Sequence, residues 1–319
     1  MRVVFKEDAT SNPDVWTYLD RIVHRIEDGA HEWSIENPDS FEASGWLRHG
    51  RPSLRKLFQD AIKKDAYPRQ SLHLHSVFVS INPNSEELSP QQAARYVAKP
   101  LYVLVENRFT DGQLLKTALD VLSPEPLQVL RQNNTHDLIC CDSPGGNGEL
   151  LKLIPEYVAK AKEEGIPVRI VVFTDSDGKL PGHIAKKPKE IETYCREHRV
   201  PCLILKKRAI ENYIPDEILN RCDRKYKSQA ATLNQLTKEQ RDHFPIKTGV
   251  RDFSTLPADE AAFYASVSDA DKQILRQGLG NNVVSLLEEE ASVLSAEMLR
   301  KRDYHNELYQ LVQMITKKL

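Results

Sequence analysis

Val168-Arg169-Ile170-Val171-Val172-Phe173 runs directly into Thr174-Asp175-Ser176-Asp177-Gly178, and the reading of this stretch decides the fold. A short, largely apolar run without strict alternation is the pattern of a strand buried on both faces, as in a parallel sheet covered by helices. Two aspartates leaving the end of such a strand stand where open α/β sheets bind ligands, beyond the carboxyl ends of the strands. Working outward, Leu101–Val105 and Leu138–Cys141 upstream and Cys202–Leu205 downstream are runs of the same kind. Between them Gln113–Val121, Glu149–Lys162 and Lys187–His198 carry helical spacing. Strands alternating with helices of these lengths predict βα units and a parallel sheet over residues 100–222.

The flanks read differently. Residues 1–99 form a mixed helical and β region: Trp16, Leu19, Ile22, Val23 and Ile26 mark one helix, and Leu54, Leu57, Phe58 and Ile62 a second. Leu72, Leu74, Val77, Val79 and Ile81 suggest one strand, and Ser89-Pro90 opens a short helix through Ala98. Residues 223–319 read as helical, with expected helices at Leu233–Phe244, Ala258–Ala265, Ala270–Gln277, Val283–Ala291 and Ser295–Lys317. Trp16, Trp33 and Trp46 read as packing residues, and His24, His73 and His75 as scattered core or surface residues more than ligands.

The totals narrow the function. A formal net charge of -2 argues against a chain that coats nucleic acid by bulk electrostatics, while leaving room for a local basic groove. The five cysteines contain no Cys-x-x-Cys pair and leave one over from full pairing, which argues against a zinc site or a disulfide framework. No stretch approaches 18 apolar residues and the start lacks the core of a signal peptide, so a cytoplasmic chain with no membrane partner is expected.

Four polar clusters fall at the predicted strand ends. Glu106, with Asp111 five residues on, follows the first strand; alone, such a glutamate reads as a solvated loop residue. Ser143-Pro144-Gly145-Gly146-Asn147-Gly148 follows the second, and Gly145 and Gly146 there let backbone approach a phosphate at a helix N-terminus, although any tight βα turn has the same look. Asp175 and Asp177 follow the third; one residue apart, both can turn toward one hard cation, which suits Mg²⁺ with its preference for one or two carboxylates plus water and phosphate oxygens. Lys206-Lys207-Arg208-Ala209-Ile210-Glu211-Asn212-Tyr213 follows the fourth, placing cations and one carboxylate at the same edge, where a basic surface run with a capping glutamate is the plainer alternative.

In this order the four clusters resemble the TOPRIM domain of the OLD (overcoming lysogenization defect) family of nucleases. The matching pieces are Leu104-Val105-Glu106 with Asp111, the Gly145-Gly146 turn, Phe173-Thr174-Asp175-Ser176-Asp177-Gly178, and Arg208-Ala209-Ile210-Glu211-Asn212-Tyr213. Asn107 stands where the family has glycine, Asp111 lies one residue further on than the usual acidic partner, and no G-x-x-x-x-G-K-[ST] motif of an ATPase half occurs. The resemblance implies a metal-dependent nuclease that hydrolyses phosphodiester bonds with Mg²⁺ or Mn²⁺, working alone or with a separately encoded ATPase, with a role in bacterial anti-phage defence. It implies Glu106, Asp111, Asp175 and Asp177 as metal ligands, Glu211 as a further ligand or supporting acid, and Arg208 or Lys207 as the phosphate-binding cation. It also admits a homodimer.

Two other readings stand beside it. A catalytically degenerate TOPRIM module would bind nucleic acid or regulate without cutting it. A haloacid-dehalogenase-like phosphatase also carries an Asp-x-Asp-Gly loop after an apolar strand, but that loop opens its domain, whereas here a βα unit with Glu106 precedes it.

Overall fold

The structure is a computed structural model that describes residues 1–66, 75–125, 127–128 and 138–319. It is an α/β protein with two parallel four-stranded sheets flanked by helices and a helical C-terminal region. The second sheet contains β5 (Leu101–Leu104), β6 (Ile139–Asp142), β7 (Ile170–Thr174) and β8 (Cys202–Ile204), in spatial order β6-β5-β7-β8. Its central pair is in register from Tyr102 opposite Ile170 to Leu104 opposite Val172. The order reverses between β5 and β7, so the loops after these two strands open a crevice at the carboxyl edge.

The first sheet corrects the expectation of a single strand in residues 1–99. β1 (Arg2–Phe5), β2 (Glu32–Ser34), β3 (Ser76–Val79) and β4 (Glu87–Leu88) pair in parallel in the order β2-β1-β3-β4, the same winding as the second sheet. Glu32-Trp33-Ser34 and Glu87-Leu88 hold one apolar residue each, so neither shows the apolar run that marks a buried strand. The expected strand positions Leu72 and Leu74, and His73, lie outside the described residues.

Helix α1 (Trp16–Glu27) buries Leu19, Ile22, Val23 and Ile26, one apolar stripe at three- and four-residue spacing. Helix α2 (Pro52–Ala66) follows, and α3 (Pro90–Val97) starts in a capping box in which the Ser89 and Gln92 side chains each serve the other's backbone. These helices close the first sheet over Val3, Phe5, Trp33, Val77 and Val79. Trp33 sits at the centre of an aromatic group, 5.5 Å from Phe5, 5.3 Å from Phe41 and 5.9 Å from both Trp46 and Phe58, ring centre to ring centre. Ala161 and Ile166 of the second unit join this core, so the two sheets are packed through a shared apolar seam.

Around the second sheet, α4 (Thr110–Leu122) and the C-terminal helices cover one face, over Val103, Val171 and Phe173. Helices α5 (Asn147–Glu163) and α6 (Lys186–Glu197) cover the other, over Leu104, Ile170 and Val172. Both faces are therefore apolar, which is why β7 reads as an unbroken run.

The C-terminal region departs from expectation at three points, one of them Val283–Ala291, which is a 3₁₀ turn over Val283–Ser285 running into a helix over Leu286–Glu289. Leu233–Phe244 is two pieces, a helix over Lys227–Leu233 and α7 (Lys238–His243). The long helix expected over Ser295–Lys317 breaks into α8 (Ala296–Arg302) and α9 (Glu307–Thr316), with Asn306 in the left-handed conformation between them. The break is held by buried polar groups. Asp303 accepts from Leu308 N at 2.7 Å, Arg302 pairs with Asp242 at 2.6 Å, and Tyr304 donates to Asp242 at 2.5 Å. A straight helix would carry these side chains past their partners. Among the described residues, no helix is long and apolar enough to cross a membrane.

Candidate functional site

The site is built where β5 and β7 end. Glu106 leaves β5 and its Oε1 accepts from Asp175 N at 3.1 Å and from the Thr174 hydroxyl at 2.5 Å. Its own carbonyl accepts from Ser143 Oγ at 2.6 Å, so one residue ties together the ends of β5, β6 and β7. Asp111, at the start of α4, is buried and engaged locally: Asn107 N donates to its Oδ2 at 2.9 Å and Thr110 Oγ1 to its Oδ1 at 3.0 Å.

The Asp175-Ser176-Asp177-Gly178 turn is fixed by its middle residue. Ser176 is buried; its hydroxyl donates to Lys207 O at 2.7 Å and accepts from Gly178 N at 3.1 Å. Asp177 N donates to Arg208 O at 3.0 Å, which brings the fourth cluster alongside the third. Asp177 is exposed with a φ of +50°, a conformation that aspartate tolerates better than most residues. Gly178 has no alternative: a Cβ there would lie 2.2 Å from the carbonyl oxygen of His183.

Glu211, in a 3₁₀ turn over Ile210–Tyr213, is 4% exposed and pairs with Lys247 at 2.8 Å. Asn212 holds that turn: its amide donates to Arg241 O at 2.7 Å and Phe244 O at 2.9 Å, and its oxygen accepts from Ala209 N. The structure thus brings Glu106, Asp111, Asp175, Asp177 and Glu211 to one edge, close enough that their charges act on one another. Burial, then the neighbouring charges of Asp111, Glu106, Glu211 and Asp177, push the Asp175 carboxyl well above its ordinary value. Burial raises Glu106 to about 7, with Asp111 and Asp177 adding to the rise and the hydrogen bond from Thr174 opposing it. Burial also raises Asp111 to about 6, with Glu211 reinforcing the effect against the local hydrogen bonds.

Whether a cation fits is decided by the donor set. All five donors are hard oxygens, and Asp175 Oδ1 is buried with no hydrogen-bond partner. Among the described residues, however, no three His, Cys, Asp or Glu side chains converge tightly enough to ligate one ion by themselves. A cation here would have to be held by one or two carboxylates with water and substrate completing the shell, a coordination that Mg²⁺ and Mn²⁺ accept.

The cations are distributed differently from the sequence expectation. Lys207 is 1% exposed; its ammonium donates to Arg302 O at 2.6 Å and pairs with Asp242 at 3.1 Å. Burial and the nearby Arg302 charge press it down to about 7, with Asp242 opposing. Lys207 therefore ties the strand end to the C-terminal helices, its ammonium already engaged by Arg302 O and Asp242. Arg208 is half-buried at the edge, its guanidinium donating to His243 O at 3.4 Å. Lys247 is the residue that sequence reasoning missed. Its ammonium is disfavoured by burial, yet its value is raised on balance by Glu211 and by the charges of Asp175 and Asp111. It lies in the non-repetitive Pro245-Ile246-Lys247-Thr248 segment, 36 residues beyond Glu211, and no motif marks it.

Gly145 and Gly146 adopt φ of +99° and +137°, and nothing lies within 4 Å of where a Cβ would stand on either. The backbone ahead of α5 is thus open on its outer side. His24 lies on the surface beside Glu27 and Arg51, remote in role from this edge. Comparisons with protein-family models, curated proteins and solved structures return no match for this chain.

Proposed function

We propose that the chain is a metal-dependent nuclease of the TOPRIM type, hydrolysing phosphodiester bonds of nucleic acid. The observation that carries this reading is the meeting of Glu106, Asp111, Asp175, Asp177 and Glu211 at the crevice between β5 and β7, with a buried Asp175 oxygen left without a hydrogen bond. A cluster of mutually repelling carboxylates is costly unless a cation neutralises it.

Asp175 and Asp177 would hold Mg²⁺ or Mn²⁺ together with water and the substrate phosphate, with Glu106 and Asp111 acting on the ion through that water. When bound, such an ion activates water and stabilises the leaving oxygen of the phosphodiester. Glu106 fixes the Asp175 backbone through its accepted N–H, so the carboxylate pair leaves β7 in one orientation. Arg208 and Lys247 supply positive charge for the phosphate, and Glu211 keeps Lys247 at the edge. The open backbone at Gly145 and Gly146 leaves room for the substrate strand. By resemblance to the OLD family, the proposal extends to anti-phage defence, a separately encoded ATPase partner and a homodimer.

One observation favours a second reading, a binding or regulatory module without catalysis: no three metal-ligating side chains converge among the described residues. Incubation with supercoiled plasmid, linear DNA and tRNA, in Mg²⁺, Mn²⁺ or EDTA, separates the two. Cleavage that needs metal and is lost in Asp175→Ala supports the nuclease. Nucleic-acid binding that survives Asp175→Ala, with no cleavage by the unaltered protein, selects the module.

A further inference from the structure

Phe109 is 85% exposed, and among the described residues Tyr309, at 39%, is the only other large apolar side chain that is exposed. The position of Phe109 is set by ordered backbone. Asn107 Oδ1 accepts from Phe109 N at 2.9 Å and from Thr110 N at 3.4 Å, while Asp111 accepts from Asn107 N on the other side of the turn. The ring is therefore held out in water by a hydrogen-bonded loop. It stands three residues after Glu106 and two before Asp111, so at most about 7 Å of backbone separates it from Asp111 and about 10 Å from Glu106. Arg108, also exposed, lies beside it.

An exposed aromatic ring and an exposed arginine at consecutive positions of the loop between Glu106 and Asp111 supply groups for the two parts of a nucleotide, its base and its phosphate. Bases inside a duplex are already stacked on their neighbours and offer no free face. A ring that takes a base therefore selects a single strand, a frayed end or an extruded nucleotide.

We infer that Phe109 is a stacking platform for an unpaired nucleobase beside the scissile phosphate, with Arg108 on the adjoining phosphate, so that single-stranded nucleic acid is the preferred substrate. This rests on the nuclease reading above for its reaction, but not for its binding. Phe109 acts as a positioning residue.

The test uses the full chain and a short single-stranded oligonucleotide carrying 2-aminopurine, with Ca²⁺ for binding and Mn²⁺ for cleavage. The unaltered protein is expected to quench the fluorescence. Phe109→Ala is expected to weaken binding and raise KM roughly 5- to 150-fold, the loss of one base stacked on one ring. The kcat at saturation and the Mn²⁺-induced rise in Tm should stay as they were. Phe109→Trp should restore binding and Phe109→Leu should not, because a π face is required. Unchanged KM in Phe109→Ala, rescue by leucine, or a change of oligomeric state in Phe109→Ala would overturn the inference, the last by showing that the ring belongs to a protein interface. Quenching lost in Phe109→Ala while the unaltered protein cleaves nothing would keep the platform and sink the nuclease. Cleavage that needs Asp175 but ignores Phe109 would do the reverse.

Discussion

Glu106→Gln is the perturbation with the sharpest expected signature. Gln keeps an oxygen that can accept from Thr174 and from Asp175 N, so the hydrogen bonds tying β5 to β7 survive and only the charge is removed. In the metal-free fold, burial and neighbouring acids raise Glu106 from an ordinary 4.5 to about 7. A carboxyl raised in this way contributes stability that is full below about pH 4.5 and is lost as pH climbs through about 7. The ceiling on that loss is about 3 kcal/mol. Partial solvent access and the sharing of protons with Asp111 and Asp175 bring the expected value to about 1–2 kcal/mol. At pH 8 in EDTA, Glu106→Gln should therefore be more stable than the unaltered chain by that amount, a rise in Tm of roughly 2–5 °C. At pH 5, just above the ordinary value of 4.5, the gap should shrink to under about 1 kcal/mol. Urea unfolding at both pH values, followed by circular dichroism, measures this. Mn²⁺ at 100 times its Kd should add about 2.7 kcal/mol to the unaltered chain at pH 8, and much less to the variant. If the variant loses as much stability as the unaltered chain between pH 5 and pH 8, the account of Glu106 as a strained carboxylate is wrong.

Three other outcomes are expected. Asp242→Ala leaves the buried Lys207 and Arg302 without their shared carboxylate and should cost about 3–5 kcal/mol in urea unfolding. Lys247→Met removes the one ion-pair partner shown for Glu211; it should bind Mn²⁺ more tightly by titration calorimetry, because the acids lose a competing cation, yet cleave about 100-fold more slowly because a phosphate-neutralising charge is gone. Gly178→Ala drives a Cβ into the His183 carbonyl, so it should lower Tm and shift the Asp175–Asp177 turn, visible as weakened Mn²⁺ binding with the remaining fold intact.

The second sheet was readable from residue order because both of its faces are covered. Ile170 to Phe173 carry no polar residue, and the strand declares itself without periodicity. The first sheet was not readable, since β2 (Glu32-Trp33-Ser34) and β4 (Glu87-Leu88) contain no apolar run and gain their pairing only from neighbours far along the chain. Local sequence likewise identified Asp175, Asp177 and Glu106 as candidates, because strand-end position and side-chain chemistry are both local properties. It could not separate Lys207 from Arg208. Adjacent residues leaving a strand point to opposite sides, and which side faces the acids depends on where Asp242 and Arg302 pack. Lys247 was invisible for the same reason: its role comes from a buried partner 36 residues away. The long terminal helix failed because helical spacing continues through Asp303 and Asn306, while the break follows from tertiary hydrogen bonds to Asp242 and within the turn. Sequence alone thus determined the parallel sheet and the carboxylates at its edge, through short-range pattern. Tertiary structure alone decided which cations meet them, because burial and charge pairing join residues that no spacing relates.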